Sequence, residues 1–181
     1  VTLSWLFFTV FGMLPFYFSG SIDTITNAFF ETMSGFTTTG ATILDDIESL
    51  SHGMLFWRSL TQWIGGLGIV FFTIAILPIF TTGGVQLFSA ETTGVTHDRT
   101  HPKINVMAKW LWTIYLILTV SETILLMFGG MDLFDAICQS FATTATGGYS
   151  TKQNSISYWN SPYIEYVVAI FMIISSINFS L

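Results

Sequence analysis

Apolar and polar positions fall in blocks along this chain, and the blocks are too long for strands. Residues 1–22 carry no charged side chain, and their apolar part ends near Phe18. That length is close to the ~20 residues that cross a bilayer as a helix. Ser19-Gly20-Ser21 then reads as a turn. Ile25–Phe36 is apolar but too short to span, and it holds Glu31. A polar connection, Ile43–Gly53, carries Asp45, Asp46 and Glu48. Met54–Phe80 is apolar over 27 residues with Arg58 near its start. As a helix it would be about 40 Å long, enough to cross a ~30 Å hydrocarbon core with tilt. Pro78 suits its end, and Gly65, Gly66 and Gly68 make a small face for close packing.

The same order then repeats. Thr81–Asn105 is polar, Ile104–Gly129 is a long apolar segment holding Glu122, and Met131–Thr146 is again too short to span. Pro162–Leu181 is a last apolar segment. The chain starts at Val1 inside one apolar run and stops inside another, which reads as a piece of a longer sequence. Composition agrees with a membrane protein: 51% of the 181 residues are hydrophobic and 9% charged, against about 25% charged in soluble domains. The mean hydropathy is +0.65. Arg99, Lys103 and Lys109, three of the five basic residues, sit in or beside the loop at 81–103. By the positive-inside rule that loop is cytoplasmic. The acidic residues Asp23, Asp45, Asp46, Glu48 and Asp132 then fall on the outer side, where they would concentrate cations.

Both short segments end in a hydroxyl-rich, glycine-containing break: GFTTTGAT at 35–42 and TATGGYST at 144–151. A shift of 108 residues overlays Ala28 on Ala136, Thr32 on Ser140, Met33 on Phe141, Thr38 on Thr146 and Gly40 on Gly148. Non-helical backbone at membrane depth is tolerated where it is buried in protein or lines water. A short helix that enters, stops at glycine and returns extended would present carbonyl oxygens able to replace a cation's hydration shell. Glycine permits the unusual backbone angles, and the helix C-terminus adds partial negative charge. Neither break contains Lys or Arg.

Other chemistry has weaker support. One cysteine, Cys138, excludes an internal disulfide and a cysteine metal cluster. The net charge of −6 argues against nucleic-acid binding. GFTTTGAT lacks the Gly-Lys-Ser/Thr ending of a phosphate loop. No converging nucleophile and base suggests an enzyme, and a pure scaffold has no use for paired breaks. Glu31 is read as a hydrogen-bonded helix carboxylate, with Arg58 or backbone amides as partners. Arg58 is read as an anchor at the outer end of its helix. Glu122, which the overlay sets on Leu14, is read as making a helix–helix hydrogen bond. Trp57, Trp63, Trp110, Trp112 and Trp159 are read as an interface belt. His97, Asp98 and His101 are read as a solvated loop. Tyr149 is expected to pack its ring behind the strand.

The stretches FFETMSGFTTTGAT (29–42), FWRSLTQWIGGLGIV (56–70), GGMDLFDAICQSFATTATGGYST (129–151) and SPYIEYVVAIFMIISSINFSL (161–181) together resemble the TrkH/TrkG/KtrB/HKT superfamily of potassium transporters, the TrkH branch most closely. The resemblance implies an all-α membrane protein of M1–re-entrant pore helix–M2 repeats, as in potassium-channel-like pores. Four such repeats surround one pore in that family, and two are expected here: 1–80, then a cytoplasmic loop at 81–103, then 104–181. It implies potassium uptake through a backbone-carbonyl filter, with a sodium or non-selective pathway as the alternative. It assigns ion binding to Thr38, Thr39, Gly40 and Ala41 and to Thr146, Gly147, Gly148 and Tyr149, with Gly40 and Gly148 as the filter glycines. A glycine at the position of Gly40 accompanies potassium permeation among plant relatives. It implies a homodimer in the bacterial inner membrane, a cytoplasmic nucleotide-binding regulatory subunit of the TrkA type, potassium as transported ion and no bound cofactor.

Overall fold

The computed structural model describes the backbone of residues 2–68 and 100–177, and every described element is a helix, turn or irregular segment. The polar loop expected at 81–103 lies outside these residues, apart from its last four, which are helical. The expected end of the second long apolar segment, up to Phe80, also lies outside them.

The first apolar segment forms helix α1 (Thr2–Gly12) and a short helix α2 (Leu14–Phe18). Pro15, in the first turn of α2, has no amide to donate, and the helix breaks at Met13 just before it. The first short segment is helix α3, Ile25–Phe36, with the bounds expected of it. Residues 52–68 form helix α4. Helix α5 covers Thr100–Phe128, so it starts earlier than the expected Ile104 and takes His101 into its first turn. Helix α6 is Leu133–Thr144, a 3₁₀ turn covers Ser155–Trp159, and helix α7 is Pro162–Ser176. Among the described residues one stretch, Lys109–Phe128 of α5, is long and apolar enough to cross a membrane, and Trp5–Phe18 and Pro162–Ser176 are shorter apolar helices.

The two halves repeat at the level of single hydrogen bonds. Thr24 caps α3 by accepting from the Asn27 amide, and Asp132, 108 residues on, caps α6 by accepting from the Phe134 amide. The preceding helices follow a different spacing. Ser19 and Gly20 donate to the carbonyls of Pro15 and Tyr17, and Gly129 and Gly130 donate to those of Leu125 and Met127, an offset of 110. Phe16 and Leu126, fully buried, share that offset. The link from outer helix to pore helix is therefore two residues shorter in the second half. As a consequence Glu122 corresponds to Gly12, not to Leu14.

Two apolar clusters flank the breaks. One gathers Phe16, Ile22, Ala28, Ile47, Leu50, Met54 and Leu55, and the other Leu126, Met131, Ala136, Ile164, Val167, Val168 and Phe171. Large apolar side chains also point outward: Leu3, Phe7 and Phe11 on α1, Ile117 and Val120 on α5, Ile170 and Ile173 on α7. Water would penalise that display, and lipid does not.

Candidate functional site

The site is built where α3 and α6 end. Each helix closes in a Schellman turn, with a left-handed residue just past the cap. In the first, Thr38 donates to the Gly35 carbonyl at 3.0 Å and Thr39 to Ser34 at 3.0 Å. In the second, Thr146 donates to Thr143 at 2.9 Å and Gly147 to Ala142 at 2.8 Å. The left-handed residue is usually glycine, yet here it is threonine both times, with φ +54° at Thr38 and at Thr146. A β-branched residue there is strained, by about 1–3 kcal/mol. Two residues later Gly40 and Gly148 are again left-handed, at φ +77° and +83°. The Thr-x-Gly pair thus gives both breaks one backbone path.

The two breaks touch. A Cβ built on Gly40 would overlap the carbonyl oxygen of Gly147. Helix α4 lies behind them, and its small face is what lets it in. A Cβ on Gly65 would overlap the Phe36 carbonyl at the end of α3. One on Gly66 would come within 3.0 Å of Ala145 at the end of α6. The glycine run therefore packs on the ends of both pore helices.

Three long polar side chains fill the space behind the breaks. Glu31 is fully buried and accepts from Arg58 Nε at 2.7 Å, the Thr42 hydroxyl at 2.9 Å and the Ile43 amide at 3.0 Å. Both partner types expected for Glu31 are present. Arg58 is 2% exposed and is not an outer anchor. Its Nη1 donates to the Ser150 carbonyl at 3.0 Å, and its guanidinium lies 3.6 Å from the centre of the Tyr149 ring. A buried ring face and carbonyl can hold a cation where bulk water cannot reach. Tyr149 packs its ring behind the strand, as expected, and its hydroxyl lies 2.9 Å from the Glu31 carbonyl and 3.2 Å from that of Ala41. Gln62, from α4, accepts from the Tyr149 amide at 3.1 Å.

The eight expected site residues are brought together, but not on equal terms. The Ala41 carbonyl accepts from Ser34 Oγ at 2.6 Å and also meets the Tyr149 hydroxyl. The single Tyr149 proton has the nearer Glu31 carbonyl as its acceptor, so Ser34 is the firm partner of Ala41. Ser34, Thr42 and Gln62 were not singled out from the sequence. Gln62 could have been, as a full amide within an apolar helix. Glu122 is fully buried beside Thr143 and Thr144. The helix–helix contact expected of it is present, to the Thr143 and Thr144 hydroxyls of α6, though neither comes within ordinary hydrogen-bond length of the carboxylate. The tryptophans are not one belt. Trp63 donates to Thr119 at 3.1 Å and Trp57 to the Gly12 carbonyl at 2.9 Å, whereas Trp110 is 65% exposed.

Short helices that enter beside long apolar ones, end in strained turns and return in contact define a re-entrant-loop membrane protein. The model of the TrkH family, a cation transport protein family, matches residues 1–181. The chain belongs to that family. It is 51% identical to the Trk system potassium uptake protein TrkH of Escherichia coli K12, over the whole of this chain and 38% of that protein. It is 36% identical to TrkG of the same organism, over the same shares. The crystal structure of the potassium transporter TrkH from Vibrio parahaemolyticus superposes with a TM-score of 0.83 at 38% identity, covering 98% of this chain and 35% of that one. The chain thus spans 38% of the length of these curated relatives.

Proposed function

We propose that these residues form two of the filter-bearing repeats, 1–80 and 104–181, of a potassium uptake pathway in the bacterial inner membrane. The observation that carries this reading is the pair of touching breaks with the same left-handed path at Thr38 and Gly40 and at Thr146 and Gly148. Carbonyls of Thr38, Thr39 and Gly40 and of Thr146, Gly147, Gly148 and Tyr149 replace the water around a dehydrated cation. The Ala41 carbonyl, which also accepts from Ser34, completes the first set. The ends of α3 and α6 bring the negative ends of two helix dipoles to the same place, and the nearest buried cation, Arg58, is neutralised by Glu31.

The chemistry asked of the chain is displacement of water, not bond making, and the relatives are named as transporters. The names of the relatives favour potassium over a sodium or non-selective pathway, as does glycine at position 40. The loop at 81–103 faces the cytoplasm, where a nucleotide-binding subunit of the TrkA type would dock on a homodimer; Arg99 and Lys103 within it and Lys109 beside it support that side. Cysteine placed at Ser89 is expected to be labelled only after the membrane is permeabilised, and labelling in intact cells would reverse the topology. The test of function is rescue of potassium-limited growth by the full-length gene in a strain lacking potassium uptake. Growth that follows sodium instead would select the alternative.

A further inference from the structure

We propose that Gln62 is a positioning residue that sets ion preference: its buried carboxamide braces the point where the two breaks meet. The proposal rests on the pathway reading above. Gln62 is fully buried on α4. Its Oε1 accepts from the Tyr149 amide at 3.1 Å, and an N–H can face only an acceptor, so the orientation of the amide is determined. The NH₂ end is the part of the amide nearer Gly40. Nε2 lies 3.9 Å from the place a Cβ on Gly40 would take, and the whole carboxamide crowds Gly147, with Oε1 and Nε2 2.5 and 2.6 Å from where its Cβ would stand. The Gln62 Nε2 atom has no hydrogen-bond partner among the described residues.

A buried donor left unmet is costly, and a native structure that keeps one has a use for it. Here the carboxamide packs against Gly147, whose carbonyl lies where a Cβ on Gly40 would stand, so it backs the backbone at the junction. A cage that can contract would suit the smaller sodium ion; a cage braced from behind holds the spacing the larger potassium ion needs. The contact is also tight, since a Cβ on Gly147 would overlap the Gln62 side chain. At the helix offset of 110 the second half has Met172 in this place, 52% exposed, so α7 carries no matching amide.

The test is potassium and sodium dependence of uptake by the full-length protein in membranes, for wild type, Gln62→Leu and Gln62→Glu. Gln62→Glu keeps the volume and the acceptor but removes the amide donor; Gln62→Leu removes both. Both are expected to lower the potassium-over-sodium preference by about tenfold or more, mainly through a lower KM for sodium. Ile64→Leu, an outward position on the same helix, is expected to leave the preference unchanged. Variants present at wild-type level that keep the wild-type preference and change only the maximal rate would overturn the proposal. If Gln62→Leu does not accumulate, the near-isosteric Gln62→Glu decides. Wild-type uptake that saturates with sodium instead would overturn the potassium reading, and the brace would then be judged by whether the same variants move that preference.

Discussion

The first and second breaks share a backbone but not a scaffold. Their left-handed residues match to within a few degrees at equal spacing, Thr38 with Thr146 and Gly40 with Gly148. The side chains behind them do not match. The first break is held mainly from within its own half, by Ser34 on the Ala41 carbonyl and by Glu31 on Thr42 and Ile43, with the Tyr149 hydroxyl reaching it from the second half. The second is held by the other half: Arg58 and Gln62, both on α4, bind Ser150 and Tyr149. At the outer-helix offset, which the Ser51 and Ser161 turns share, Arg58 corresponds to Val168 and Gln62 to Met172. Glu31 corresponds to Gln139 at the pore-helix offset. The backbone path is repeated because each break needs the same carbonyl geometry. The bracing is free to differ because any buried hydrogen bond will hold a strand. The second helix of one repeat thereby becomes the back wall of the next.

Breaking the cross-repeat brace should have the largest effect. Arg58→Met leaves the Glu31 carboxylate buried with a charge partner lost, and removal of one member of such a pair costs about 3–5 kcal/mol. The unfolding midpoint of the purified full-length protein is expected to fall sharply. Adding Glu31→Gln to Arg58→Met is expected to recover a large part of that loss, because no uncompensated charge then remains. A double variant no better than Arg58→Met would show that the pair does not act as a unit.

The two break glycines, Gly40 and Gly148, separate next. Both are left-handed, but a Cβ on Gly40 overlaps the Gly147 carbonyl, whereas nothing lies within 4 Å of a Cβ on Gly148. Gly40→Ser is therefore expected to reduce the potassium-over-sodium preference of uptake by about tenfold, equivalent to about 1.4 kcal/mol. Gly148→Ser bears the backbone strain alone and is expected to shift it less. Thr37→Ser keeps the hydroxyl and backbone class and should shift it least. Equal effects at both glycines would mean that contact between the breaks is not what matters.

The smallest effect is expected at the position where the outer helices differ most, Glu122 against Gly12. The Glu122 carboxylate is fully buried with no basic side chain as its partner among the described residues, and the Thr143 and Thr144 hydroxyls beside it can serve a neutral amide as well as a carboxylate. Glu122→Gln is expected to be neutral or to stabilise by up to about 1 kcal/mol, since a neutral amide is less costly to bury. A loss of more than that in the unfolding midpoint would reveal a partner for the carboxylate.

Much of this molecule was legible as pattern. The bounds of α3 followed from an apolar run that stops at polar, glycine-bearing residues, and the overlay at 108 found the second break because both breaks need the same Thr-x-Gly geometry. Periodicity and glycine carry that information locally, so neighbours in sequence suffice to read it. The kink at Pro15 was equally local, though the apolar run around it masked it. Partners across the fold were a different matter. That Arg58 turns inward, that Gln62 faces a segment 87 residues away, and that the Tyr149 hydroxyl reaches the Glu31 carbonyl all depend on which faces meet when α4 wedges behind α3 and α6. The two-residue shortening before α6 changed the register of the outer helices without touching the breaks, and so moved Glu122 opposite Gly12. A sequence specifies which groups must be buried and where its backbone turns; which buried group satisfies which is decided by packing, because hydrogen bonds reward proximity in space and take no account of distance along the chain.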